Sequence, residues 1–230
     1  MSVETPQGAR QYAVRTGPDE SLPVRAVRAL LVGLTRLVTG VQARWAGCAP
    51  TEVQRVYFAN HSSHLDTLVI WAALPPHLRA RTRPVAAADY WDRPGLRRWL
   101  ARRVLNAVLV DRAAAQEGLK GSREALRCIL DALDQGDSLI LFPEGTRGDG
   151  VRVGELRPGL FMVARERPGV ELVPTYLQNL SRILPKGEYL PVPLLASTTF
   201  GTPIGLGAGE GRPAFLERAR QAIVSLGGEP

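Results

Sequence analysis

The sequence predicts an α/β fold: a single domain with a mixed, mostly parallel sheet flanked by helices, preceded by an N-terminal amphipathic helix. Two patterns carry that expectation. Short apolar runs of strand length alternate with helix-periodic segments along the chain. Three of those runs end in a polar, mostly charged group, where parallel sheets build their sites. Length agrees: 230 residues make one domain that buries about 70–75% of its unfolded surface without a covalent staple. The two cysteines, Cys48 and Cys128, are too few for a disulfide framework or a cysteine-rich zinc site, and they fit a reducing compartment.

Residues 1–22 are polar and carry Pro6, Gly8, Gly17 and Pro18. They read as a flexible arm, without the basic-then-apolar pattern of a secretion signal. Residues 23–47 read as the amphipathic helix. Arg25, Arg28 and Arg36 fall within about 80° of one another around its axis, and Val27, Leu30, Leu31, Leu34, Leu37, Val38 and Val41 gather opposite. The arginines break every stretch long enough to span a bilayer. Two placements stay open: leucines on the core with a solvated arginine face, or a helix lying on an anionic membrane surface.

Residues 48–230 form the α/β domain. A strand runs from Gln54 and ends at Asn60-His61. Ser63 to Asp66 matches a capping box, ahead of an apolar helix that Pro75-Pro76 stops. Residues 81–88 are extended, and Pro94 opens an arginine-rich helix. Residues 107–110 are a strand ending in Asp111-Arg112, and residues 113–133 a long helix closed by Gly136. The run 138–142 is a strand ending in Pro143-Glu144-Gly145-Thr146-Arg147. A helix over 156–164, strands over 170–177 and 194–200, and a helix over 213–226 with proline at its start complete the order.

The charge is +7, from 29 Lys+Arg against 22 Asp+Glu, and Lys120 and Lys186 are the only lysines. So arginine-rich a surface suits nucleic acid, an anionic membrane or a phosphorylated small molecule. The densest basic-aromatic stretch, Tyr90 to Arg103, suits a membrane or a ligand's phosphate better than nucleic acid, which is not expected as a partner.

At the first strand end, Asp66 can fold back onto His61, fix its tautomer and leave the other ring nitrogen basic, as a general base requires. His61 and His64 also admit a metal-dependent hydrolase, though no His-Glu-x-x-His pattern follows. At the third strand end, Gly145 permits close backbone approach, while Thr146 and Arg147 offer a hydroxyl and a guanidinium fork to phosphate.

These residues resemble the glycerolipid acyltransferases. Asn60-His61-Ser62-Ser63-His64-Leu65-Asp66 is similar to that family's N-H-x-S-x-x-D motif, and Phe142 to Arg147 to its F-P-E-G-T-R motif. Val110-Asp111-Arg112, Arg157-Pro158-Gly159 and Val173-Pro174 resemble its shorter elements, in order. The chain departs from the pattern at Asn106-Ala107, where glycines are usual, and at His64. The stretch 184–188 resembles a variant found in part of the family. The resemblance implies transfer of a fatty acyl group from acyl-CoA or acyl carrier protein to the free hydroxyl of a lysophospholipid, nearest to the 1-acylglycerol-3-phosphate acyltransferases. It implies His61 as base and Asp66 as its orienting carboxylate. It places the acceptor's glycerol phosphate with Arg112, Glu144, Gly145, Thr146, Arg147 and Arg157. No cofactor beyond the acyl donor is expected, and the setting is peripheral, at the cytoplasmic face of an anionic membrane. The competing class is a non-catalytic lipid- or anion-binding module on the same scaffold.

Overall fold

A computed structural model describes residues 21–111, 118–148, 150, 152–180 and 195–227. The expected arm over residues 1–20, Arg112 with the start of the long helix, and the 184–188 stretch lie outside the described residues.

The chain begins with α1 (Leu22–Thr39), then β1 (Gln42–Trp45), β2 (Arg55–Ala59), α2 (Asp66–Ala73), α3 (Pro76–Ala80), β3 (Thr82–Ala87) and α4 (Ala88–Trp91). Next come α5 (Leu96–Trp99), which runs on as a π-helical turn (Leu100–Val104), and β4 (Val108–Val110). The second half holds α6 (Leu119–Asp134), β5 (Ser138–Leu141), α7 (Gly159–Glu166), β6 (Glu171–Gln178), β7 (Ser197–Phe200) and α8 (Arg212–Val224). One seven-stranded sheet results, in the order β1-β7-β6-β2-β5-β3-β4. From β6 to β4 every neighbour is parallel, while β7 runs antiparallel to β6 and parallel to β1. The expected mixed, mostly parallel sheet is there.

Every residue of β2 is buried, as a central strand covered on both faces must be. Tyr57 and Ala59 face one apolar layer with Ile70, Trp71 and Phe200. Val56 and Phe58 face the other, with Ile129, Leu160 and Phe215. Helices on both faces therefore close the sheet, and its loops at the carboxyl edge are left to chemistry.

The first helix corrects the sequence reading twice. It ends at Thr39, where Gly40 takes a left-handed φ of 52° and donates to the Arg36 carbonyl. Residues 42–45 then join the sheet as β1 instead of continuing the helix to 47. Of the two placements left open, the one with the leucines on the core is overturned. The inward face is Val24, Val32, Thr35 and Thr39, on the arginine side. Arg28 donates to the Val104 and Arg103 carbonyls at 2.7 and 2.9 Å, and Arg36 to Ala72 at 2.8 Å. All three acceptors are carbonyls at helix ends, which guanidinium groups satisfy well. Leu30, Leu34 and Leu37 point outward, 66%, 52% and 80% exposed. Periodicity located two faces but could not rank them, because the inner one is held by polar bonds. Among the described residues no helix is long and apolar enough to cross a membrane.

Candidate functional site

Parallel strands end at one edge, and β2 and β5 are neighbours there. The loops after them, 60–65 and 142–148, are thus forced together. Asn60 locks the first loop down. Its side-chain amide donates to the Leu177 carbonyl at 3.1 Å and its oxygen accepts from the Leu177 N–H at 2.8 Å, extending the β2–β6 pairing by a side chain.

At the start of α2, the wholly buried Asp66 turns one carboxylate oxygen back into that loop. Oδ2 accepts from Ser62 N–H at 2.6 Å and Ser63 N–H at 2.9 Å, and stands 2.8 Å from His61 Nδ1. The acid of a capping box makes the Ser63 contact. The reciprocal half is altered, for Ser63 Oγ accepts from Leu65 N–H at 3.3 Å. Facing a carboxylate, Nδ1 is the nitrogen that donates, and in a neutral ring this leaves the lone pair on Nε2. The His61 ring lies on Phe142, centroids 4.3 Å apart and planes 21° from parallel, which fixes where Nε2 points.

The second loop buttresses the first. Buried Glu144 accepts from His61 N–H at 2.8 Å through Oε1 and from Gly154 N–H at 2.9 Å through Oε2. The His61 carbonyl accepts from Gly148 N–H at 2.8 Å. The Glu144 carboxylate therefore faces backbone donors and holds the His61 turn. Gly145 has a left-handed φ of 73°, and a Cβ there would stand 2.3 Å from Arg157 Nε. Glycine lets the Arg157 side chain cross the loop and donate to the Glu144 carbonyl at 3.1 Å.

Of the residues singled out in sequence, His61, Asp66, Glu144, Gly145 and Arg157 are thus one bonded assembly. Thr146 is exposed beside it. Arg147 has no hydrogen bond or ion pair among the described residues and sits close enough to act on His64. Partial burial first, then Arg147 and His61, hold the His64 imidazole below the ordinary histidine range. Asp111 ends β4, two strands beyond β5. His77 lies on α3, past the far end of α2. Sequence reasoning gave Asn60, Phe142, Gly148 and Gly154 no role. The motif spacing offered a signal for Asn60 and Phe142, which flank the assigned residues, and none for Gly154.

A cavity of ≈ 400 Å³ opens at the opposite edge, lined by Arg28, Val32, Trp71, Arg79 and Arg83 among others. It adjoins the starts of β3 and β4 and holds none of the groups above.

Residues 46–178 match the family model described as Acyltransferase. Over 139 residues the chain is 28% identical to a 1-acyl-sn-glycerol-3-phosphate acyltransferase of Chlamydomonas reinhardtii, covering 60% of this chain and 38% of that protein. Over 168 residues it is 26% identical to the Limnanthes douglasii enzyme of the same name, covering 72% and 56%. The chain thus spans about half or less of these relatives' length. The crystal structure of the 1-acyl-sn-glycerophosphate acyltransferase PlsC from Thermotoga maritima has the same fold, with a TM-score of 0.63 at 21% identity, over 90% of this chain and 82% of that one.

Proposed function

The chain belongs to the acyltransferase family, and from that premise we propose that it moves a fatty acyl group from a thioester donor to the free hydroxyl of 1-acylglycerol-3-phosphate, giving phosphatidic acid. The observation that carries the reading is the bond between His61 Nδ1 and Asp66 Oδ2, made inside a loop that two further carboxylate contacts hold rigid. Curated relatives bear that activity in their names.

In this mechanism His61 Nε2 takes the proton of the acceptor hydroxyl as its oxygen attacks the thioester carbonyl. Asp66 steadies the imidazolium that forms. The tetrahedral oxyanion collapses, the C–S bond breaks, and the departing thiolate recovers the proton from Nε2. No covalent enzyme intermediate is needed, so neither half-buried cysteine is required as a nucleophile. Arg147, Thr146 and Arg112 meet the acceptor's phosphate, while Glu144 and Arg157 keep the loops in place. A non-catalytic anion-binding module would keep Arg147 but has no use for a buried carboxylate aimed at one imidazole nitrogen. A metal-dependent hydrolase at His61 and His64 is set aside by activity that survives thorough chelation.

The protein works, in this proposal, against the cytoplasmic face of an anionic membrane, where Leu30, Leu34 and Leu37 of α1 with exposed Leu195 meet the lipid. Incubating the protein with lysophosphatidate and a panel of acyl-CoA and acyl carrier protein donors, with products read by mass, tests the activity; no acylated product from any donor sinks it. Flotation with anionic vesicles tests the location. Replacing both Leu34 and Leu37 by Gln should lower the bound fraction, and unchanged flotation would remove the leucine ridge from the interface.

A further inference from the structure

Beyond the dyad, a ladder of planar groups continues along the carboxyl edge. His64, exposed at the start of α2, has its ring 5.8 Å from that of Tyr90, the planes 23° from parallel. The Arg97 guanidinium lies over the same Tyr90 ring at 4.7 Å, and Trp91 meets Tyr90 edge-on at 5.4 Å. Tyr90 belongs to α4, which leaves the carboxyl end of β3, so the ladder starts at the site and runs outward along its rim.

Arg97 differs from its neighbours. Arg98 and Arg102 both reach Asp92, Arg102 with two bonds of 2.9 and 3.0 Å and Arg98 at 3.2 Å. Arg97 has the Tyr90 face and, among the described residues, no hydrogen bond or ion pair, which leaves its N–H groups for an external acceptor.

We propose that His64, Tyr90 and Arg97 dock the nucleotide of a coenzyme A thioester, with the adenine against the planar ladder and a phosphate on Arg97. The inference rests on the acyl-transfer reading and names its donor. Base and phosphate together suit an aromatic stack carrying a free guanidinium. A carrier protein would present several carboxylates over a broad area, and α5 with its π-helical turn answers that poorly, since Asp92 pairs with both Arg98 and Arg102. In this arrangement the acceptor's phosphate keeps Arg147, while the donor's nucleotide takes Tyr90 and Arg97.

The test compares palmitoyl-CoA with palmitoyl-pantetheine, which carries the same thioester but no nucleotide. Arg97→Gln should raise KM for palmitoyl-CoA about tenfold and leave KM for palmitoyl-pantetheine and for lysophosphatidate unchanged. Tyr90→Leu should do the same, and Arg97→Lys should recover part of the loss. Equal rises with both donors, no change with palmitoyl-CoA, or an effect confined to palmitoyl carrier protein would overturn the assignment. Equilibrium binding of free coenzyme A to wild type and to Arg97→Gln supplies a readout without turnover. If wild type acylates nothing, the transferase reading fails, while a weaker coenzyme A affinity in Arg97→Gln still upholds the docking site and an equal one removes it.

Discussion

The two edges of the sheet do not use arginine alike. At the amino edge every arginine with resolved partners is tied to the protein. Arg79 donates to the Trp71, Ala72 and Leu74 carbonyls at the end of α2, and Arg36 also reaches Ala72. Arg55 is 3% exposed and pairs with Glu171 across β2 and β6 at 2.8 Å, while Arg83 pairs with Asp137 at 2.9 Å. At the carboxyl edge Arg147 and Arg97 have neither hydrogen bond nor ion pair among the described residues. The difference shows what a net charge conceals. Among the described residues much of the arginine closes helix ends and strand starts, while Arg97 and Arg147 keep their N–H groups for a ligand. Density of arginine in sequence therefore locates neither role; the partners do.

The largest expected effect lies at the carboxyl edge. His61→Ala should lower acyl-transfer turnover by about 10²–10⁴-fold, the share a positioned general base supplies, with an unchanged circular dichroism spectrum. Asp66→Ala should lose a similar factor and also about 1–3 kcal/mol of stability, because the Ser62 and Ser63 N–H groups lose their buried acceptor. Wild-type turnover in purified His61→Ala would remove the base. Equal urea midpoints for the two variants would show that Asp66 does not hold the loop.

The comparison itself is tested by a pair of substitutions expected to separate cleanly. Arg79→Ala should cost about 2–3 kcal/mol, since it strips a charged donor from three carbonyls. It should leave KM for lysophosphatidate alone. Burial, then the nearby Arg36, already pulls the Arg79 guanidinium down to about 10, so this group is held in place against its own desolvation. Arg147→Ala should do the reverse, raising acceptor KM about ten- to a hundredfold with no shift in the urea midpoint. Unfolding curves and acceptor kinetics on both variants decide it. A stability loss in Arg147→Ala would mean that Arg147, like Arg157, builds the loop as well.

The sequence made the parallel core and the dyad legible for the same reason: both are short-range signals. Strand-length apolar runs set β2, β5 and β6, and a histidine five residues before an aspartate sets a turn that the next helix closes. Three features were illegible because their cause is a distant partner. The exposed leucine ridge of α1 follows from Arg28 and Arg36 finding carbonyls in the π-helical turn and in α2. β1 exists because β7 offers it an edge, and its four residues otherwise read as helix. Glu144 looked like a ligand group beside Arg147, yet its oxygens are taken by His61 and Gly154, contacts that no local pattern announces.

The smallest expected effect asks whether pairing alone, without burial, makes an arginine structural. Arg218 donates to Glu210 at 2.6 and 2.8 Å and to the Gly205 carbonyl, as well bonded as Arg79 but on the open surface. The Arg218 bonds first, then the Gly207 N–H, pull the Glu210 carboxyl from 4.5 down to about 2. A carboxyl lowered in the folded state favours folding above its unfolded value, and that contribution fades as pH falls from 4.5 through about 2. Glu217, held at about 2 by Arg220, titrates in the same window, so only a difference between proteins isolates Glu210. Urea midpoints of wild type and Glu210→Gln should differ slightly at pH 7 and converge toward pH 2, with the gap at pH 7 shrinking further in high salt. If Glu210→Gln instead cost as much as Arg79→Ala, pairing alone would make an arginine structural, and burial at the amino edge would be incidental.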